Sequence, residues 1–159
     1  MNSKPIRTAV ITGGHSFNVV DFYHLFWLLE GVDAYLQHMD DFASSSTTVR
    51  NSYDVLLFYT MLLDGPTDGG LPWYAGKPRS TLGQLGQTEQ GIFMLHHSIL
   101  AYREWPIWNQ LVGLPDLSHD VTMVQTLPVE VVAPDHPVTE GLSDWEMVDE
   151  PYKMCDTDP

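Results

Sequence analysis

Two short runs of β-branched and aromatic residues, separated by a helical segment, constrain the fold of this chain more than any other feature. Ile6 to Thr12 ends at Gly13, and Tyr53 to Tyr59 (YDVLLFY) is apolar along almost its whole length. Such runs are typical of strands that are buried on both faces of a parallel sheet. Between them, apolar residues recur at helical spacing from Phe17 to Glu30, which predicts a broadly buried helix. The alternation of strand and helix predicts an α/β fold.

Further segments continue this alternation along the chain. Val32 to Leu36 and Ile92 to His96 are predicted strands, and Ile107 to Val112 is a predicted helix. Val121 to Val132 is rich in valine and threonine but contains a proline, which predicts two short strands or a hairpin. Residues 64–79 are dense in glycine and proline and predict a long loop. Short crossovers between parallel strands favour a doubly wound, flavodoxin-like sheet.

The composition excludes several classes of protein. The chain has 159 residues, of which 43% are hydrophobic, which predicts one globular domain over residues 1–159. Seven Lys and Arg stand against 21 Asp and Glu, and the resulting charge of −14 opposes binding to nucleic acid or to an anionic membrane. The single cysteine, Cys155, excludes a disulfide framework and fits a reducing compartment. Since the sequence shows no signal peptide or membrane span, we expect a cytoplasmic protein.

Histidines follow two of the predicted strands, at the edge where open parallel sheets bind their ligands. Gly13 and Gly14 allow a tight turn that presents N–H groups beside His15, although paired glycines also occur in ordinary turns. His96 and His97 stand at the end of the fourth predicted strand. Imidazoles suit proton transfer near neutral pH and transition-metal binding, while a structural role is the alternative. Because neighbouring strand residues point to opposite faces, we expect only one of this pair to face the site.

A metal site is a second interpretation of the same histidines. His15, His96 and His136 together supply the three ligands that a catalytic zinc site needs, with a fourth position left for water. Their spacing matches no known metal-binding motif. A divalent metal such as zinc is therefore one alternative, and acid/base histidines without a metal are the other.

The chain also contains, in order, segments that together resemble a known family. They are TGGHSF, YDVLLFYTM, GIFMLHHSIL followed by AYREWPIW, and HPVTEGLSDWEMVDEPYKM. This ordered set resembles the trehalose-utilisation (ThuA-like) family over nearly the whole chain. The resemblance implies a flavodoxin-like three-layer sandwich with a mostly parallel sheet, of the class I glutamine amidotransferase-like superfamily. It also implies a role in the metabolism of trehalose or a related disaccharide or keto-sugar, and a C-terminal part usual in the family that this chain lacks.

The amidotransferases of that superfamily carry a cysteine nucleophile in the turn after a strand, where this chain has His96. Cys155 lies far along the chain in an acidic segment, which disfavours a reactive thiolate. The resemblance therefore implies that this is not a Cys-dependent glutamine amidotransferase. Ser98 with His97 or His15 as base is a hydrolase alternative, although the sequence has no GxSxG elbow.

The leading hypothesis is a protein that binds or converts a sugar above the sheet, with His15 and His96 or His97 as acid/base groups or metal ligands. Isomerase and hydrolase chemistry both remain open. The rival hypothesis is a non-catalytic binding or interaction domain that has lost the amidotransferase nucleophile. Further candidate contacts for the sugar are carboxylates that accept hydrogen bonds from its hydroxyl groups, namely Glu104, Asp149 and Glu150. The ring of Trp105 is a candidate for stacking on the sugar. We also expect a homodimer, because a truncated sheet edge or the apolar loop residues Leu71, Trp73 and Tyr74 need cover.

Overall fold

The structure, a computed structural model, describes residues 4–155, which form two compact units that divide between Pro115 and Asp116. None of the helices within residues 4–155 has the length and apolar content needed to cross a lipid bilayer. The single domain over residues 1–159 stays a prediction.

The first unit alternates strands and helices around one parallel sheet. The strand order is β2-β1-β3-β4, and every neighbouring pair is parallel. This is the flavodoxin-like order, so the predicted α/β fold is confirmed. The elements are β1 (Ile6–Gly13), α1 (Val19–Trp27), β2 (Val32–His38), α2 (Met39–Ser44), α3 (Thr47–Arg50), β3 (Val55–Thr60), α4 (Pro78–Leu82), β4 (Gly91–Met94), a 3₁₀ helix (His96–Leu100) and α5 (Pro106–Val112).

The chain changes direction across the sheet at β1. The first crossover runs from β1 outward to β2, and the next returns past β1 to β3. Because parallel crossovers are right-handed, this reversal places α1 on one face of the sheet and α2 with α3 on the other. The two central strands are accordingly buried, and Ala9, Val10, Ile11 and Phe58 are 0% exposed. The same reversal opens a crevice at the carboxyl ends of β1 and β3.

Helix α1 is shorter and more exposed than the sequence predicts. Asn18 caps its first turn, and the helix ends at Trp27 rather than at Glu30. Phe26 is the buried residue of α1, whereas Tyr23 is 57% exposed and Trp27 is 76% exposed. The prediction of a broadly buried helix is therefore wrong. A helix that lies on a sheet turns one stripe of side chains toward it, and the remaining apolar residues of α1 face away.

Two short helices between β2 and β3 were not predicted from the sequence. The side chain of His38 accepts a hydrogen bond from the N–H of Asp40 at the start of α2. Ser46 accepts one from the N–H of Val49 at the start of α3. Helices of six and four residues are too short to show an apolar period, so capping rather than periodicity marks them. The predicted loop over residues 64–79 is confirmed up to residue 77, and its last two residues begin α4.

The second unit consists of short antiparallel strands. They are β5 (His119–Val121), β6 (Gln125–Val129), β7 (Trp145–Asp149) and β8 (Tyr152–Met154). β5 pairs with β8, and β6 pairs with β7. The segment Val121 to Val132, predicted as two short strands or a hairpin, contains β6 and only the last residue of β5. These two strands do not pair with each other, so the segment is not a hairpin.

Tyr102 carries a buried hydroxyl for which the described residues provide no hydrogen-bond partner. The residue is 2% exposed, and its ring packs edge-on against Trp108 with the centroids 5.0 Å apart. Burial, with a smaller effect from the charge of Asp40, raises the pKa of Tyr102 above its ordinary value of 10.0. The hydroxyl therefore stays protonated through the neutral range and carries an uncompensated desolvation cost.

We expect Tyr102→Phe to stabilise the protein by about 1 kcal/mol, because the unpaired hydroxyl is removed while the ring remains. The folded protein holds the phenolic proton more tightly than the unfolded chain does. The wild type should therefore lose stability as the pH rises above about 10, and the variant should lose less. Urea unfolding at pH 8 and pH 10.5 measures both effects. A variant that is less stable at pH 8, or that shows the full alkaline loss, would contradict this account.

Candidate functional site

The turn after β1 is locked against the end of β3. The Thr60 hydroxyl and the Met61 N–H each donate to the carbonyl oxygen of Gly13 at 2.9 Å. Gly14 has a φ of +72°, and a Cβ added there would lie 2.8 Å from the carbonyl oxygen of Met61. Glycine is required at this position by both its conformation and its surroundings. The turn thereby directs the chain at His15 to the crevice between β1 and β3.

The turn after β4 is held from two sides. His96 opens the 3₁₀ helix with a φ of +57°, a left-handed conformation that is uncommon outside glycine. Two residues later, the hydroxyl of Ser98 accepts a hydrogen bond from the Thr60 N–H at 2.8 Å and donates one to the Phe58 carbonyl at 2.6 Å. The Trp108 Nε1–H donates to the Ser98 carbonyl at 2.9 Å. β3 and α5 therefore fix the backbone that carries His96.

The hydrogen bonds of Ser98 also bear on the hydrolase alternative. Its side chain is 0% exposed, and its hydroxyl both donates and accepts within the protein. A nucleophile must reach its substrate, and this hydroxyl is buried against the backbone of β3. The observed contacts favour a structural role for Ser98.

Three imidazole rings converge at this edge of the sheet, and we call His15, His96 and His97 the histidine cluster. The ring centroid of His15 lies 5.2 Å from that of His96 and 4.7 Å from that of His97. The rings of His96 and His97 stack at 3.9 Å. One ring nitrogen of each histidine lies within 4.8 Å of those of the other two. His15 and His97 are half-buried and His96 is exposed, so the cluster is open to solvent on the side of His96.

The orientation of His96 and His97 differs from the prediction. The two were expected to point to opposite faces of a strand, but both rings approach His15. The prediction is wrong because β4 ends at Met94, so neither histidine lies on the strand. The left-handed backbone at His96 and the 3₁₀ turn that follows replace the strand alternation.

Tyr59 is a site residue that the sequence analysis did not single out. Its hydroxyl lies 3.1 Å from Nδ1 of His15, and the two rings meet edge-on with centroids 5.4 Å apart. Burial raises the pKa of Tyr59 above its ordinary value, which keeps the hydroxyl protonated near neutral pH. A parallel register pairs Tyr59 with Thr12, three residues before His15. That register was the missing information, since a sequence shows that a strand ends but not which residue lies beside it.

The remaining predicted contact residues of the first unit lie just beyond the 3₁₀ helix. Glu104 is exposed, and Trp105 is half-buried. The backbone N–H of Trp105 donates to the carbonyl of Tyr102 at 2.8 Å. Both positions follow the turn that carries His96. Their roles in binding a sugar stay predictions.

Three predicted site residues lie in the second unit. His136 accepts a hydrogen bond at Nδ1 from the N–H of Val138 at 3.2 Å. Asp149 accepts one from the N–H of Glu150 at 2.8 Å. Within residues 4–155, the group that brings His15 and His96 together includes His97 and not His136. The third histidine of this group thus differs from the one in the predicted metal site.

A parallel sheet in the order 2-1-3-4 with histidines at its carboxyl edge defines a flavodoxin-like α/β domain with a candidate site at the β1/β3 switch point. Among solved structures, the chain is similar to the crystal structure of a protein described as ThuA-like from Bacteroides uniformis ATCC 8492. The TM-score is 0.61 at 16% identity, and the match covers 96% of this chain and 62% of that one. The likeness confirms the fold. No protein-family model matches the sequence, and the curated proteins contain no match.

Proposed function

We propose that this chain is a ThuA-like protein of sugar metabolism. In this proposal it binds trehalose, a related disaccharide or a keto-sugar derived from one at the carboxyl edge of the parallel sheet. The histidine cluster then moves protons at a carbon next to a carbonyl group. The observation that carries the proposal is the convergence of three imidazoles at the edge where flavodoxin-like folds bind ligands. The ThuA-like fold of the structural neighbour supports the link to sugars through the family resemblance.

The geometry favours a substrate that lies on one side of the cluster. A sugar ring sandwiched between two imidazoles would hold them about 7 to 8 Å apart, since each contact needs about 3.5 to 4 Å. The observed centroid separations from His15 are 5.2 Å and 4.7 Å. His96 is the exposed member and faces solvent. We therefore assign His96 to direct contact with the substrate and His15 with His97 to the second layer of the site.

The contact between Tyr59 and His15 suits a proton relay. With the His15 Nδ1–H donating to the Tyr59 hydroxyl oxygen, the lone pair of His15 is at Nε2. In this proposal His96 takes a proton from the substrate carbon and, as the imidazolium, returns it to a neighbouring atom. The Nε2 lone pair of His15 is the group that would stabilise the protonated His96 between the two steps.

A cavity opens at the same edge of the sheet, beyond the ends of β2 and β3. Its volume is about 190 Å³, which is smaller than the roughly 300–1,000 Å³ of typical ligand pockets. Asp40 and Asp64 provide carboxylates, and Leu62, Leu63 and Leu71 provide apolar walls. Carboxylates accept hydrogen bonds from hydroxyl groups while apolar walls contact the face of a sugar ring. This combination favours a sugar as the ligand, with one end of the sugar bound in the cavity.

A second candidate function is a non-catalytic sugar-binding or interaction domain. The observation that favours it is His96 at the strained position, φ +57°, where the amidotransferases resembled by this chain have their cysteine. The single cysteine, Cys155, lies in the second unit, where its thiol donates to the carbonyl of Asp116 at 3.0 Å. A fold that keeps the pocket without the nucleophile retains binding and loses the reaction.

The setting that fits both candidates is the cytoplasm. Cys155 is free and exposed, and free thiols persist in reducing compartments. The charge of −14 favours neutral ligands over nucleic acid. The partner in this proposal is therefore a small sugar or sugar derivative.

Two measurements test the proposed function. The first is the melting temperature in the presence of a panel of disaccharides, including trehalose, and keto-disaccharides, because a ligand that binds the folded state raises it. The second is solvent deuterium incorporation, followed by NMR, at the carbon next to the carbonyl of any sugar that binds. We expect exchange in the wild type, a loss of at least about 100-fold in His96→Ala and His15→Ala, and no change in His136→Ala.

The outcomes separate the two candidates. Binding without exchange in the wild type would replace the enzyme with the binding domain. Exchange that survives both cluster variants would show that other residues carry the reaction. If no sugar in the panel shifts the melting temperature, the link to sugars fails.

A further inference from the structure

We propose that the histidine cluster binds one divalent transition-metal ion, with His15, His96 and His97 as its three imidazole ligands. The inference deepens the proposed function and rests on it for what the metal would act on. The binding site itself rests on the described side chains alone. Zn²⁺ represents the class, because imidazole nitrogens are among its preferred ligands.

The ligand set fits a catalytic metal site. One nitrogen of each ring lies within 4.8 Å of the others, and three protein nitrogens leave a fourth tetrahedral position open. Three nitrogens bound to one zinc at 2.0–2.1 Å stand about 3.3 Å apart. Ring nitrogens at the 4.8 Å limit would therefore have to approach one another by about 1 to 1.5 Å to bind one zinc. His96 is the exposed member, so a movement of its ring is not blocked by the buried core.

The contacts behind the cluster provide a second, independent observation. A metal-binding histidine generally donates its other ring N–H to a fixed acceptor, which orients the ring. The Tyr59 hydroxyl lies 3.1 Å from Nδ1 of His15 and fills this role. That arrangement presents Nε2 of His15 to the metal. Tyr59 is 9% exposed and belongs to β3, so its position is fixed by the sheet.

The left-handed backbone at His96 brings the side chains of two successive residues to one place. An imidazole nitrogen binds a metal in the plane of its ring, so these two rings would have to rotate out of their stack to share one ion. On a strand, His96 and His97 would point apart. With φ at +57°, the chain turns at His96 and its ring stacks on that of His97 at 3.9 Å. Strained backbone of this kind persists where the surrounding structure holds it in place, and it clusters at functional sites. The hydrogen bonds of Ser98 hold this turn.

This ligand set differs from the one that the sequence analysis considered. His136 lies in the second unit, and its Nδ1 accepts the N–H of Val138 at 3.2 Å. His97 completes the described cluster instead. A metal with an open position would polarise the carbonyl of a bound keto-sugar. In the metal-bound form the three imidazoles would be ligands and not proton carriers, so the metal would replace their acid/base role at the same substrate carbonyl.

Metal uptake by the untagged full chain tests the inference. Protein stripped with a chelator is titrated with Zn²⁺ by calorimetry, and the retained metal is counted by elemental mass spectrometry after desalting. We expect one Zn²⁺ per chain in the wild type and affinity losses of at least about 100-fold in His15→Ala, His96→Ala and His97→Ala. The exposed His24→Ala and His136→Ala serve as matched controls and should bind as the wild type does.

Tyr59→Phe adds a readout that a merely exposed set of histidines would not produce. It keeps the ring and removes the hydroxyl, so we expect zinc affinity to fall by about 10- to 100-fold. Circular dichroism of each variant checks that the fold is retained. Unaltered zinc binding in the three cluster variants, or an equal loss in His136→Ala, would overturn the site. So would the absence of zinc above background in folded wild type.

Failure of the metal site and failure of the proposed function give different results. The zinc titrations contain no sugar, and the melting temperatures with sugars are measured on both stripped and zinc-loaded protein. Zinc binding without any sugar effect leaves the metal site and removes the sugar function. Sugar-dependent exchange in stripped protein that binds no zinc leaves the function and removes the metal site.

Discussion

Replacing Gly14 by alanine is expected to destabilise the protein by about 3 kcal/mol or more. The φ of +72° costs a residue with a Cβ about 1 to 2 kcal/mol, and the added Cβ would lie 2.8 Å from backbone atoms of Met61. Backbone does not move aside as a flexible side chain does, so overpacking adds about 1 to 3 kcal/mol. Because this turn leads directly into His15, we expect the variant also to lose zinc and sugar binding.

Gly31→Ala is the matched control for Gly14→Ala. Gly31 has a φ of +79°, nearly the same backbone conformation, but nothing lies within 4 Å of a Cβ added there. Its cost should be limited to the conformational part, about 1 to 2 kcal/mol. Urea unfolding of the two variants measures the difference. Equal costs would show that the contact between the turns after β1 and β3 does not constrain Gly14.

Trp108→Ala is expected to cost about 3 to 5 kcal/mol. The indole is 0% exposed and packs edge-on against Phe58 and Tyr102, with centroids 5.2 and 5.0 Å away. Its Nε1–H also donates to the carbonyl of Ser98, within the turn that carries the histidine cluster. Truncation therefore opens a cavity and removes the shorter of two hydrogen bonds to the Ser98 carbonyl, which keeps the one from the Ala101 N–H at 3.3 Å.

Two further variants divide this cost. Trp108→Phe keeps much of the apolar contact but removes the indole N–H, so a cost of about 1 to 3 kcal/mol is expected. Trp73→Ala removes an indole that is 95% exposed and should change stability by less than about 0.5 kcal/mol. Urea unfolding followed by far-UV circular dichroism avoids dependence on tryptophan fluorescence. A Trp108→Ala cost near that of Trp73→Ala would mean that α5 does not stabilise the turn at His96.

The parts of the fold that could be predicted from sequence are those with strong local patterns. β1 and β3 are short runs rich in β-branched and aromatic residues, and α5 begins with a proline. α1 was found but its burial was misjudged, because periodicity identifies a helix and not how many of its faces are covered. α2 and α3 were missed, since helices of six and four residues show no period.

The sequence by itself determined that histidines and paired glycines follow strands, and that parallel strand ends meet at one edge. This was sufficient to identify His15, His96 and His97 as candidate site residues. Only the tertiary structure decided that His97 joins His15 and His96, that Tyr59 supports His15, and that Ser98 is buried. The reason is physical. These relations depend on the register between β1 and β3 and on a left-handed backbone at one residue, and long-range contacts select both of them.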